Sequence, residues 1–391
     1  MKSKNHISRI GYKRLSKERL EKELVGLNNY NITYFGRARA GLLHVLHALC
    51  SSDSNIVMSS FTLPDLHKIC ELVNCEIRYF DYLDKSLIVD VKLISEMVDE
   101  QTSAIILTGY NTRPLEQIEH LKRLFPDVII IEDCAISWLP SVINSPVYPA
   151  DYTVLSFSSF KLINSYWGGA VVAKSVIDYP NGHLPLHMFL KQCIKTLRFQ
   201  LVTSSFGFPL LMKFKKIRTA YLNGSNKTSF RRSETNEWDA SLNARPLKLF
   251  FWHLGFSLKM VHWRFKRRHE LWKVYNENLS DYKVPESENQ LTPSCRWYPL
   301  LVKDRDDLSE IIKEMNLIYD LDIARSPYSS LPRTFGFDAN TPNANCLEDA
   351  LICLPIHEKL SCSHVDRICK SILKYNSKLV NFNDELHSLQ S

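Results

Sequence analysis

The sequence predicts an α/β fold: a large domain with a mostly parallel central sheet covered by helices, followed by a small C-terminal α+β domain. Three observations carry this. Between residues 34 and about 180, short β-branched runs alternate with amphipathic stretches of helical period, the pattern of strands that cross over through helices. A long helical pattern then spans 246–279. Beyond it, 295–375 reads as strand, helix, strand and final helix.

Taken in order, residues 1–33 are basic and polar and read as an N-terminal arm or entry helix. The strand runs of the large domain (34–245) are 55–58, 76–80, 103–107, 128–131, 152–155 and 170–173, and the clearest helices are 40–49, 66–73, 91–98 and 115–124. An insertion at about 185–235 is rich in Lys, Arg, Phe and Leu. Ser204, Ser205, Gly207 and Pro209 interrupt any long amphipathic helix there, so an arm docking on another subunit is favoured over an interfacial membrane helix. Residues 246–279 read as one long connecting helix carrying Trp252, Leu254, Leu258, Trp263, Phe265 and Leu271. In the small domain, 280–391, the elements fall at 297–302, 307–315, 350–354 and 363–373.

Composition narrows the function. The 391 residues are 45% hydrophobic and 23% charged, as in a globular protein with a large core. The net charge of +7 suits an anionic substrate, but the basic residues form no nucleic-acid reader motif. The ten cysteines include no CxxC pair and the N-terminus has no apolar signal core, which reads as free thiols in a reducing cytoplasm. No run is apolar enough for a spanning helix. His44 and His47 read as a solvent-facing stripe without a third metal ligand, and Arg264, Lys266, Arg267 and Arg268 as a solvated face.

Three local motifs bear chemistry. The run 128–131 is followed by Glu132 and Asp133, acids at the carboxyl end of a buried strand, where α/β sheets bind ligands. An acid there can hold a metal, act as a base or pair with a cationic ring; alone it is a helix cap or turn residue. Ser156 and Lys161 follow the strand 152–155: the lysine can form an imine with an aldehyde and the serine can bond a phosphate, although a lone lysine is ordinarily a surface group. Phe35 to Gly41 open the helix 40–49 with small residues, leaving amides for an anion or making a plain turn. Together, in this order, they make a phosphate cradle, a ring partner and an imine lysine, the kit that pyridoxal phosphate requires.

These residues resemble the DegT/DnrJ/StrS family of pyridoxal-phosphate sugar aminotransferases, of fold type I, over about 34–375 apart from the insertion. The resemblance implies Asp133 opposite the pyridine nitrogen, Lys161 as the Schiff-base lysine, Ser156 as a phosphate ligand, and Arg39 and Ala40 as positions whose backbone amides bind phosphate. It implies that Asn243, in the stretch Leu242 to Arg245, reaches the phosphate of the partner subunit, and that Phe61 and Thr62 precede the ring-covering position, here Leu63. Cys353 to Leu360, with His357, resembles a small-domain signature. The sequence departs from the family at Ile136, where Gln or His is usual against the ring, at Leu63, where an aromatic often stacks, at Trp167, where an acid often precedes the double glycine, and at Gly109 and Thr112, in place of His and Gly.

The reaction implied by the resemblance is amino transfer through Lys161, from a donor such as glutamate to a nucleotide-linked keto sugar in polysaccharide precursor synthesis, by a cytoplasmic homodimer with shared sites. The family's dehydratases carry histidine in place of the lysine, so Lys161 points away from them. A non-sugar ketone as acceptor, or a regulatory homologue with an altered site, are the alternatives that Ile136 and Leu63 keep open.

Overall fold

The computed structural model describes residues 17–26, 29–144, 148–158, 161–165, 167–177, 182, 190, 194, 242, 244–246, 248–286, 294–318, 324–358 and 360–383. Helix α1 (Lys17–Val25) leads to strand β1 (Asn31–Phe35), then α2 (Ala38–Leu49), β2 (Asn55–Ser59), the two-residue β3 (Phe61–Thr62), α3 (Pro64–Glu71) and β4 (Glu76–Phe80). The chain continues through α4 (Val91–Ser95), β5 (Thr102–Thr108), α5 (Leu115–Leu124), β6 (Ile129–Asp133), β7 (Tyr152–Ser156) and β8 (Gly169–Ala173). After the insertion come α6 (Lys248–Lys259), α7 (Val261–Leu279), β9 (Trp297–Leu301), α8 (Arg305–Ile318), β10 (Ala324–Arg325), β11 (Ser329–Ser330), α9 (Leu331–Phe335), α10 (Pro342–Ala350), β12 (Leu351–Pro355) and α11 (Cys362–Ile372).

Seven strands form the large sheet in the order β1-β8-β7-β6-β5-β2-β4. β2, β4, β5, β6 and β7 pair in parallel, while β8 is antiparallel to both its neighbours. The central strands carry consecutive apolar residues because both faces are covered: Ile105 packs into one buried cluster and Ile106 into the other. Helix α5 shows the complementary logic, burying Ile118 and Leu121 while Glu116 and Lys122 lie on its polar side. The small sheet, β10-β12-β9, is antiparallel throughout.

The two regions share one core. Val57, Ile105 and Leu107 of the large sheet belong to the same cluster as Leu300, Ile352 and Leu354 of the small one. The C-terminal region also reaches back directly. β11 pairs with β3, the Leu331 amide donates to the Ser60 carbonyl (2.7 Å), and Asp81 accepts the amides of Asn343 (2.8 Å) and Ala344 (2.9 Å) at the start of α10.

Four expectations need correction or completion. Residues 31–33, read as the end of an arm, belong to a sheet strand whose register with β8 runs from Asn31↔Ala173 to Phe35↔Gly169. The single helix over 246–279 is two helices meeting at Met260. There the Met260 amide bonds back only three residues, to the Ser257 carbonyl (3.2 Å), while the Ser257 hydroxyl accepts from the Asn164 amide and the Arg264 guanidinium (each 2.7 Å). His44 is half-buried, stacked on Phe35 at 5.5 Å, rather than on a solvent stripe with exposed His47. Helices α9 and α10 are short and start at Pro-containing turns, which hides them from a periodicity reading. The insertion at about 185–235 lies almost wholly outside the described residues, as does Asn243. Among the described residues no helix is long and apolar enough to cross a membrane, no cluster of His, Cys, Asp or Glu is arranged to hold a metal, and the cysteines are unpaired.

Candidate active site

Parallel pairing brings the carboxyl ends of β5, β6 and β7 to one edge of the sheet, and Asp133 and Ser156 are the last residues of β6 and β7. Asp133 is buried, 5% exposed, and its carboxylate accepts the Ala135 amide at 2.9 Å. Burial pushes its pKa up; the Ala135 amide and the charge of Lys161 act against that. Its neighbour Glu132 faces the other side of the strand and is paired with Arg113 through Nε at 2.7 Å and through a second, shorter contact at Nη2, both side chains being buried.

Lys161 sits in a loop drawn tight against the sheet. Its amide donates to the Ser158 carbonyl (3.3 Å), the Phe157 amide to the Gly168 carbonyl (3.0 Å), and Ser165 donates through its amide to Phe157 (2.9 Å) and through its hydroxyl to Trp167 (2.6 Å). Helices α6 and α7 brace the loop through Ser257 and through Arg264, which also donates to the Leu162 carbonyl (3.3 Å). The Lys161 pKa is brought down to about 8, first by burial, then by the nearby Arg296 charge, with Asp133 opposing and Arg268 adding a little.

A small cavity, open to solvent at its mouth, joins Ser156 and Lys161. Its walls include Ile136, Ser156, Lys161, Arg268, Ser294 and Arg296. Three of the expected site residues, Lys161, Ser156 and Ile136, therefore meet at one opening; Asp133 does not line it but immediately precedes Cys134 and Ala135, which do, and its charge acts on Lys161. Trp167 is buried against His253 rather than standing at the cavity.

Helix α2 lies against the same strand ends. Ser156 pairs with Gly169, and a Cβ on Gly169 would come within 2.3 Å of both N and Cα of Ala38, the first residue of α2. The positive end of that helix thus adjoins Ser156, whose hydroxyl is 3.3 Å from that of Ser158. The Ala40 amide, expected to face a phosphate, donates instead to the Arg37 carbonyl (3.1 Å), and the Arg39 side chain pairs with Asp65. Neither residue lines the cavity. Leu63 is partly buried at the start of α3, packed against both large clusters.

Sequence reasoning missed the two arginines. Arg268, assigned to a solvated face, is 3% exposed and pairs with Glu358 (2.9 Å). The Glu358 carboxyl is held low: burial would raise it, but the charges of Arg268 and Arg264 and its hydrogen bonds together outweigh burial. Arg296 precedes β9, and burial together with Arg268 brings its pKa down to about 10. No local motif marks either residue; the available signal was the one-residue position of Arg296 before an apolar strand run.

A mostly parallel sheet with a lysine loop after β7, a buried aspartate at the end of neighbouring β6, and a helix N-terminus beside Ser156 is the arrangement of an aminotransferase of fold type I. The chain belongs to the DegT/DnrJ/EryC1/StrS aminotransferase family, whose model matches residues 4–177 and 254–373. Among solved structures, the chain is similar to a putative sugar aminotransferase, Spr1654 from Streptococcus pneumoniae in its PLP form, at 17% identity and a TM-score of 0.66, covering 93% of this chain and 91% of that one. It is also similar to PseC of Helicobacter pylori, an aminotransferase of pseudoaminic acid biosynthesis, at 18% identity, a TM-score of 0.63, and 91% and 89% coverage. DesI, solved with its TDP-sugar product, matches at 17% identity with a TM-score of 0.64 over 95% of this chain and 86% of that one. No curated protein matches the sequence.

Proposed function

We propose that this chain uses pyridoxal 5'-phosphate to move an amino group from a donor such as glutamate to a nucleotide-linked keto sugar for polysaccharide precursor synthesis. The observation that carries the reading is the meeting of Lys161, Ser156 and the Asp133 strand end at one cavity. The donor set suits the cofactor: a primary amine with lowered pKa, a buried carboxylate to face a cationic ring nitrogen, and a hydroxyl beside a helix N-terminus to face a phosphate. The sugar and nucleotide are supported by likeness to PseC, which serves pseudoaminic acid biosynthesis, and to DesI, which holds a TDP-sugar. When bound, pyridoxal phosphate supplies an aldehyde for the lysine and an electron-withdrawing ring.

The chain's own residues would do the rest. Lys161 would hold the aldehyde of the cofactor, and its Nζ, once free, would take and return the proton of the donor's α-carbon, the role for which a lowered pKa fits it. Asp133 holds a positive ring nitrogen; that cation offsets the burial which otherwise raises its pKa. Ser156 bonds the phosphate next to the N-terminus of α2, with Arg39 and Ala40 in its first turn. Ile136 shapes the cavity wall and Leu63 covers the ring without the ~0.5–1.5 kcal/mol that aromatic stacking adds. Asn243 would reach the partner's site, which calls for a homodimer as the working unit, and the free cysteines suit a reducing cytoplasm.

The test is Lys161→Ala. The purified wild-type protein, loaded with pyridoxal phosphate, should show a visible band that borohydride fixes covalently to Lys161 and should aminate keto-sugar nucleotides with glutamate. The variant should lose both. Full turnover by a loaded Lys161→Ala protein would overturn the assignment, and an active monomer in sedimentation would remove the shared site.

A further inference from the structure

Three cations, Lys161, Arg268 and Arg296, line the cavity, and among the described residues that line it there is no carboxylate. Lys161 is accounted for by the reaction. The two guanidiniums are not. Arg268 projects from α7 and Arg296 precedes β9, so both reach the cavity from outside the large sheet that carries Asp133 and Ser156. Glu358 pairs with Arg268, leaving the wall with more positive than negative charge.

The backbone around Arg296 is built to hold it there. Asn111, fully buried in the loop after β5, accepts the Arg296 amide at Oδ1 (2.9 Å), donates through Nδ2 to the Trp297 carbonyl (3.0 Å), and receives the Ser294 amide at its own carbonyl (2.8 Å). Glu286, also buried, accepts the Asn111 amide at 3.0 Å. Between Ser294 and Arg296, Cys295 is held at φ +50°, in the left-handed region that side chains other than glycine rarely adopt. Such strain persists where surrounding bonds over-determine it. Ser294 lines the cavity too, 2% exposed, and its hydroxyl has no hydrogen-bond partner among the described residues.

Two forked donors and a spare hydroxyl facing one opening are the chemistry of an oxyanion receptor. We propose that Arg268, Arg296 and Ser294 form a subsite for a substrate oxyanion, placed across the cavity wall from the cofactor's phosphate cradle at Ser156 and α2. The inference rests on reading this cavity as the amino-transfer site. The oxyanion has two sources, the carboxylate of the amino donor or the diphosphate of the nucleotide-linked acceptor. Binding an anion there also cancels the Arg296 charge that lowers the Lys161 pKa, so an occupied subsite leaves Lys161 more readily protonated.

Calorimetric titration of the pyridoxal-phosphate-loaded protein with glutarate and, separately, with pyrophosphate decides the matter. At least one probe should bind, and its affinity should fall by about tenfold or more in Arg268→Met and Arg296→Met, as expected for loss of a charged hydrogen bond. The visible band and cofactor retention should be unchanged in both variants. Arg296→Lys, which keeps the charge but loses the fork, should bind at intermediate strength and guards against a variant that fails to fold. Binding of glutarate alone identifies the donor carboxylate; binding of pyrophosphate alone identifies the acceptor diphosphate. The proposal is overturned if neither probe binds, if both variants bind as the wild type does, or if the variants release pyridoxal phosphate, in which case the arginines hold the cofactor. Should the wild type bind no pyridoxal phosphate at all, the reading of the site fails by itself, while titration of the cofactor-free protein still decides the arginines.

Discussion

The side-chain oxygen of Asn111 accepts the backbone N–H of Arg296 at 2.9 Å, so a residue at the carboxyl edge of the large sheet sets the position of a residue entering the small one. The same side chain also donates to the Trp297 carbonyl and to the Glu286 carboxylate. All of this is buried. Asn111→Ala leaves at least two buried backbone groups without partners, and each such group costs about 1–3 kcal/mol. Urea unfolding should therefore show a loss of about 2–4 kcal/mol. Kinetics should show KM for the anionic substrate raised more than kcat is lowered, since Arg296 stays chemically intact; an unchanged KM would separate Asn111 from the subsite.

Lys161 should titrate far from an ordinary lysine. Burial and then Arg296 bring its pKa from 10.5 to about 8. In the cofactor-free protein, labelling of Lys161 by trinitrobenzenesulfonate, read by peptide mass spectrometry against pH, should be half-maximal near pH 8. Arg296→Met should move that midpoint upward and Asp133→Asn downward, because the first removes a repelling charge and the second an attracting one. Stability changes with a definite sign. Below pH 8 both folded and unfolded chains carry the proton and the cost of a buried charge is present; between about 8 and 10.5 only the unfolded chain carries it, so stability rises with pH across that window. A labelling midpoint near 10.5 would contradict the buried setting.

The Arg113–Glu132 pair is the next test. Both side chains are buried, 4% and 0% exposed, and Arg113 also lies 5.6 Å from the centre of the Tyr148 ring. Glu132→Gln leaves a buried guanidinium without its counter-charge, and breaking such a pair costs about 3–5 kcal/mol. Replacing both, with Arg113→Met and Glu132→Leu, should recover much of the loss in denaturant unfolding. The double variant should also tell whether Glu132, whose charge raises the pKa of Asp133, matters to the cofactor side of the strand.

Two glycines at positive φ should respond differently to alanine. At Gly168, φ +93°, a Cβ would meet the Phe250 ring at 2.3 Å. At Gly336, φ +78°, nothing lies within 4 Å. Gly336→Ala should cost about 1 kcal/mol, the conformational penalty alone, whereas Gly168→Ala adds a core clash of about 1–3 kcal/mol beside the lysine loop. Thermal unfolding of the two variants, with cofactor retention for Gly168→Ala, checks the contrast.

Much of the fold is readable along the chain. Strand 76–80 and helix 115–124 coincide with the structure to the residue, and most others differ at their ends by one to three residues, because apolar period and β-branching report local burial. Asp133, Ser156 and Lys161 are legible because the ends of successive parallel strands fall together by topology. The misread elements share a cause. Strand β1 exists because β8 offers it an edge, and its half-polar run Asn31–Phe35 carries no strong signal by itself. The break at Met260 falls where Asn164, from another part of the chain, donates to the Ser257 hydroxyl, a contact that the period of 246–279 cannot report.

The sequence by itself determined the alternating α/β plan, the order of the chemical motifs and the family, since each depends on residues close together or on a preserved order. Only the tertiary structure decided that Arg268 is buried and that it faces the same cavity as Arg296 and Lys161. A charged residue on a helix is solvated or desolvated according to what packs over it. Here that partner is Glu358, far along the chain, and the Asn111 clasp sets Arg296 from a still greater distance. Periodicity carries no information about partners so remote, so the candidate lysine could be found in the sequence and its cationic surroundings could not.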